Sequence, residues 1–135
     1  MWSTLRTWLL GISAVFVFSF SGLLQAGDDP SIQGNLRDNI KESMNHYIAG
    51  QTINERMYLF DALEGKLLKM ELVELHEGIV KKGDFYVSCA DFVDQHGNAI
   101  DVDFLVRAKL EQLITTQAIV HSVDGNKRKY HLEKL

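Results

Sequence analysis

Residues 91–104 read DFVDQHGNAIDVDF. Four aspartates, a histidine and an asparagine crowd round one glycine. Whether that glycine closes a metal loop or a hairpin decides the fold. A calcium loop of the EF-hand type needs oxygen donors at alternate positions and a glutamate at the twelfth. Counted from Asp94, the alternate positions are Asp94, His96, Asn98, Ile100 and Val102, and the twelfth is Leu105. The pattern fails after three donors. A hairpin fits, because apolar residues alternate on both sides of the glycine. With the turn centred on His96-Gly97, Val93 faces Ile100, Asp91 faces Val102, Cys89 faces Phe104 and Val87 faces Val106. That register gives one apolar face interrupted only by Asp91. It sends Asp101 and Asp103 to a solvated face opposite Phe92 and Ala90, and leaves Asp94 in the turn.

The same period-two alternation, punctuated by turn signals, runs through the chain on either side. Strands are expected at 56–62, 67–75, 85–93, 99–108, 117–123 and 128–134. Before them, Leu36, Ile40, Met44, Tyr47 and Ile48 form a stripe at helical spacing. Asn35 and Asp38 are placed to make a capping box, and Gly50 is placed to end the helix. Residues 27–34, GDDPSIQG, read as a tether. The expected fold is therefore α+β: one N-terminal helix packed on a curved antiparallel meander of five to six strands, a single domain over 35–135.

Residues 1–26 carry one Arg, an apolar run from Leu9 to Leu24, and a small residue, Ala26, just before GDDP. They read as a secretory signal peptide, which implies a periplasmic or secreted protein. The mature form is then not embedded in a membrane. Removing residues 1–26 takes one base from the 14 and no acid from the 18, so the net charge moves from −4 to −5. An acidic chain lacks the electrostatic footprint for nucleic acid, and Lys127-Arg128-Lys129 reads as a solvated strand end. One cysteine, Cys89, has no internal disulfide partner and is expected to be buried.

A carboxylate on an apolar face is costly unless it is paired or sits at the rim. His121 and Tyr130, predicted to face each other across the last hairpin, are candidate partners for Asp91, and His76 is another. Asp91, His121, Tyr130 and His76 together make a candidate ligand-binding cluster between helix and sheet. The bland alternative is a satisfied polar cluster at the sheet edge. One helix covers only one sheet face. The other face, carrying Tyr58, Phe60, Tyr86, Phe92 and Leu105, would then meet a partner, a second copy in a homodimer, or residues 109–116 folded back over it. No HExxH, CxxC, GxSxG, P-loop or dinucleotide fingerprint occurs. No catalytic residue, metal site or cofactor is assigned.

The helix-then-meander layout resembles the cystatin-like and NTF2-like α+β group. The phrase GNAIDVDFLV, followed by IVHSVDGNKRKY, also looks like a set of small secreted bacterial proteins of unassigned function. These carry a glycine turn, Asp-x-Asp-Phe, a His strand and a glycine hairpin. The resemblance spans the C-terminal half and implies no activity. The cystatin inhibitory loop, Gln-x-Val-x-Gly, is absent. The expected function is a secreted, non-enzymatic binding module. It would hold a small ligand or an envelope protein in the helix–sheet cleft or on the open sheet face. The alternative is a small enzyme with an Asp–His acid/base pair.

Overall fold

The structure, a computed structural model, describes residues 27–132; the leader reading falls on residues outside that range. Helix α1 spans Gly34–Gly50 and buries Ile40, Ser43, Met44 and Ile48, with Leu36 and Tyr47 packed beside them. This is the predicted stripe. The helix start differs from the capping-box expectation. Gln33, extended at φ −136°, precedes the helix and makes no side-chain cap. Gly34 turns the chain at φ +56°, a conformation glycine adopts without penalty. The first turn is held instead by Arg37, whose Nε donates to the Ile32 carbonyl at 2.9 Å and whose Nη2 meets Asp28 Oδ1 at 2.8 Å. The segment read as a tether lies against the sheet: Asp29 N donates to the Ile79 carbonyl at 2.8 Å, and Ile32 is buried.

Seven strands follow: β1 (Thr52–Ile53), β2 (Arg56–Asp61), β3 (Lys66–Lys82), β4 (Phe85–Asp94), β5 (Ala99–Lys109), β6 (Gln112–Val123) and β7 (Asn126–Lys127). They form one antiparallel sheet in chain order. The class is α+β with an antiparallel meander, but with seven strands rather than five or six. The additional strand is the two-residue ladder β1 at one edge. Residues 109–116 do not fold over the sheet. Leu110, at φ +56°, makes the turn, and β6 begins at Gln112. Of the expected strand over 128–134, residues 128–132 do not extend the ladder beyond β7, and residues 133–134 lie outside the described range.

The central hairpin differs from the expected register by one residue, with large consequences. Asp94 N donates to the Asn98 carbonyl at 3.0 Å, so the loop holds three residues, Gln95, His96 and Gly97, with Gly97 at φ +85°. Asp94 fixes this loop by accepting from His96 N, Asn98 N and Asn98 Nδ2 at 2.8–2.9 Å. Val93 therefore pairs with Ala99, Asp91 with Asp101, Cys89 with Asp103 and Val87 with Leu105. A slip of one residue exchanges the faces of one strand relative to the other. Phe92, Ala90, Ile100, Val102, Phe104 and Val106 now share the helix-covered face and form the core with Met57, Leu59, Met70 and Val120. Tyr47 meets Phe104 edge-on at 6.0 Å.

Two further devices shape the sheet. β3 shifts register between Leu75 and Ile79, where Ser88 Oγ donates to the Gly78 carbonyl at 2.8 Å. β6 bulges twice, with His121 as the inserted residue between the Asp101–Ser122 and Val102–Val120 pairs. The sheet curls until β2 touches β6. Arg128 closes that seam, its guanidinium 2.7 Å from both Asp61 Oδ2 and Glu64 Oε1. Arg128 is thus committed to ion pairs and is not the solvated strand end expected of it.

Candidate functional site

The face of the sheet away from α1 carries a row of polar side chains across four strands: His76 on β3, Cys89 and Asp91 on β4, Asp101 and Asp103 on β5, and His121 on β6. Period-two alternation puts Cys89 with Asp91 and Asp101 with Asp103, and the three-residue loop aligns the two pairs. The bulge in β6 turns His121 toward them.

Asp103 is the buried hub of the row. Its Oδ1 accepts from the Cys89 thiol at 3.0 Å and faces His121 Nδ1 at 2.8 Å, while Oδ2 accepts from Leu132 N at 2.8 Å. A carboxylate has only acceptors to offer, so Nδ1 carries the proton in this pair. Burial alone would raise the Asp103 pKa. The hydrogen bonds from His121 and Cys89 outweigh it and hold the group below the usual carboxylate range. His131 and Leu132 lie against this hub. The His131 ring stacks on His121, with centroids 4.4 Å apart and planes 8° from parallel.

Asp101 has a different environment. Its Oδ2 lies 3.6 Å from His121 Nδ1, and its buried Oδ1 has no hydrogen-bond partner among the described residues. Burial, only partly offset by His121 and His76 and reinforced by the charges of Asp103 and Asp91, pushes its pKa up to about 6. Next to it, His76 Nε2 meets Asp91 Oδ2 at 2.9 Å on the more exposed side of the row. Among the described residues, two groups have the spacing of metal ligands. In the first, Cys89 Sγ, one oxygen each of Asp101 and Asp103, and a ring nitrogen of His121 lie within 4.8 Å of one another. In the second, the same holds for His76, Asp91 and Asp101.

Of the four ligand-binding candidates, His76 and Asp91 are in contact, and His121 reaches the same row through Asp101. Tyr130 is not part of it. Tyr130 is 65% exposed and lines a shallow groove with Phe60, Leu63 and Ile119. Asp101 and Asp103, expected to be merely solvated, are central, and His131 is an addition. Cys89 is buried as expected, though against Asp103 rather than Phe104. The signal for the missing residues was present as the paired spacing Cys-x-Asp and Asp-x-Asp on either side of one turn. Of the five interface candidates, Tyr58, Phe60 and Leu105 do lie on the face away from the helix. Phe92 and Tyr86 belong to the helix side, Phe92 fully buried and Tyr86 packed at the core margin.

No family model, curated protein or solved structure matches this chain. No helix among the described residues is long and apolar enough to cross a membrane.

Proposed function

We propose that the protein is an exported, non-enzymatic binding module that holds a small, positively charged ligand on the outer sheet face, along the row from His76 to His121. The observation that carries this reading is the surplus of carboxylate there. Asp91, Asp101 and Asp103 stand on adjacent positions of two paired strands, and Asp101 keeps an oxygen that no described group satisfies. Like charges directly across a ladder repel. A cationic ligand turns that repulsion into binding energy, because it relieves the strain on Asp101 at the same time. The leader-like sequence of residues 1–26 supports export. An acid/base enzyme is less well supported, because Asp103 and His121 are buried, out of a substrate's reach.

A thermal-shift panel of alkylamines, guanidinium compounds and divalent cations tests the reading. Stabilisation by at least one cationic compound should be saturable and should disappear in the Asp91→Asn/Asp101→Asn double variant. Stabilisers that act equally on that variant, or none at all, contradict it.

A further inference from the structure

We propose that the inner half of this row is a closed site for one zinc-class divalent cation, with Cys89 Sγ, Asp101 Oδ2, Asp103 Oδ1 and His121 Nδ1 as its four ligands. The inference rests on the binding reading above and names the ligand class of that site.

The donor set decides the class. One thiolate, one imidazole and two carboxylates suit a borderline-soft ion that takes four ligands tetrahedrally, whereas calcium and magnesium select oxygen alone. The geometry agrees. One donor atom from each of the four residues lies within 4.8 Å of the other three. Ligands at the usual zinc distances of about 2.0–2.3 Å stand roughly 3.3–3.7 Å apart in a tetrahedron. The present separations of 2.8 Å for His121–Asp103 and 3.0 Å for Cys89–Asp103 are those of hydrogen bonds, and 3.6 Å for His121–Asp101 already matches. A cation at the centre of the four would take over from the thiol and imidazole protons that now bridge these atoms.

Binding therefore exchanges protons for metal. The Cys89 thiol loses its proton to solvent, and the His121 proton moves from Nδ1 to Nε2. Asp101 gives up whatever proton it holds. The surroundings hold the ligands in place. Leu132 N–H fixes Asp103 through Oδ2 and leaves Oδ1 aimed at the site, in the manner of an outer-shell partner. His131 stacks on the imidazole and sets its plane. Asp101, the most exposed of the four, gives the ion its way in.

The test is cobalt(II) substitution in the purified full chain after chelator treatment, with zinc competition. The account predicts one equivalent of cobalt, a tetrahedral visible spectrum and a sulfur-to-cobalt charge-transfer band. Zinc should displace the cobalt. Cys89→Ser should lose the sulfur band. Asp101→Asn, whose side chain anchors nothing else, should stay folded and bind at least about tenfold more weakly, since losing even an outer-shell partner costs that much. Affinity should fall as pH is lowered. Cobalt bound with an octahedral spectrum and no sulfur band would overturn this site, while leaving a cation on His76, Asp91 and Asp101 and so the binding reading intact. No cobalt or zinc binding would overturn it too, and the amine arms of the thermal-shift panel would then decide the broader reading. Unchanged affinity in Asp101→Asn overturns the four-ligand assignment.

Discussion

Asp91 and Asp101 face each other directly across the β4–β5 ladder. Each has a histidine on its far side: His76 lies 2.9 Å from Asp91, and His121 lies 3.6 Å from Asp101. Two carboxylates opposite one another cost stability. Burial, reinforced by the charges of Asp103 and Asp91, pushes the Asp101 pKa up to about 6, while its neighbour Asp103, rich in donors, is held low.

Asp101→Asn should therefore stabilise the metal-free protein at neutral pH. The folded-state pKa lies above the ordinary value of 3.8. Between about pH 4 and 6 the folded chain holds the extra proton, so stability declines as pH rises through that window, and the penalty is complete above it. Two pH units correspond to about 3 kcal/mol, an upper figure for a group that water still reaches. Urea unfolding with chelator present should show the variant ahead of wild type at pH 8 and level with it at pH 4. Parity at both pH values would mean that Asp101 is ionised without penalty.

Asp103→Asn should do the opposite. An amide cannot accept from Cys89, His121 and Leu132 together, and its NH2 group faces donors. A loss of about 3 kcal/mol is expected, on the scale of breaking a buried charged network. The folded-state pKa of Asp103 is lowered, so its contribution is present above the ordinary carboxylate pKa and lost as pH falls through the lowered one. The gap between variant and wild type should accordingly narrow in acid. A constant gap down to strong acid would show that the charge of Asp103 is not what stabilises the fold.

Phe92→Ala and Phe60→Ser separate the two sheet faces. Phe92 is buried beside Phe104, with ring centroids 6.4 Å apart, and Phe60 is 63% exposed. The first change should cost about 3–5 kcal/mol and the second under about 0.5 kcal/mol, as surface changes do. Similar costs would mean that the hairpin register is the two-residue one.

Helix α1 was legible because five apolar residues kept one stripe over 17 residues. The strands were legible because glycine turns separate alternating runs. The register was not, because DQHGN accommodates a two- or a three-residue loop equally well. The choice falls to Asp94, whose side chain satisfies three donors only in the longer one. No glycine or proline marks the bulge at His121. The run RKYHLEK alternates like a strand, but Arg128 is held by Asp61 and Glu64 across the seam, and Leu132 N bonds to Asp103 instead of a ladder partner. Asp101 and Asp103 were hidden by the register alone.

Cys89 should resist thiol labelling in the native protein, since it is buried and its proton is donated to Asp103. Labelling should proceed at the rate of unfolding or local opening, and Asp103→Asn should accelerate it. Rapid stoichiometric labelling of the wild type would place Cys89 in water.

The central claim is that ligand binds on the outer row and not in the helix–sheet cleft. Amide chemical-shift mapping during titration with zinc, or with the best cation of the thermal-shift panel, tests this most directly. The account predicts that the largest changes fall on His76, Cys89, Asp91, Asp101, Asp103, His121 and the adjoining residues His131 and Leu132. Changes concentrated instead on Asn39, Ser43, His46 and Gln112, which line the groove beside α1, would contradict it.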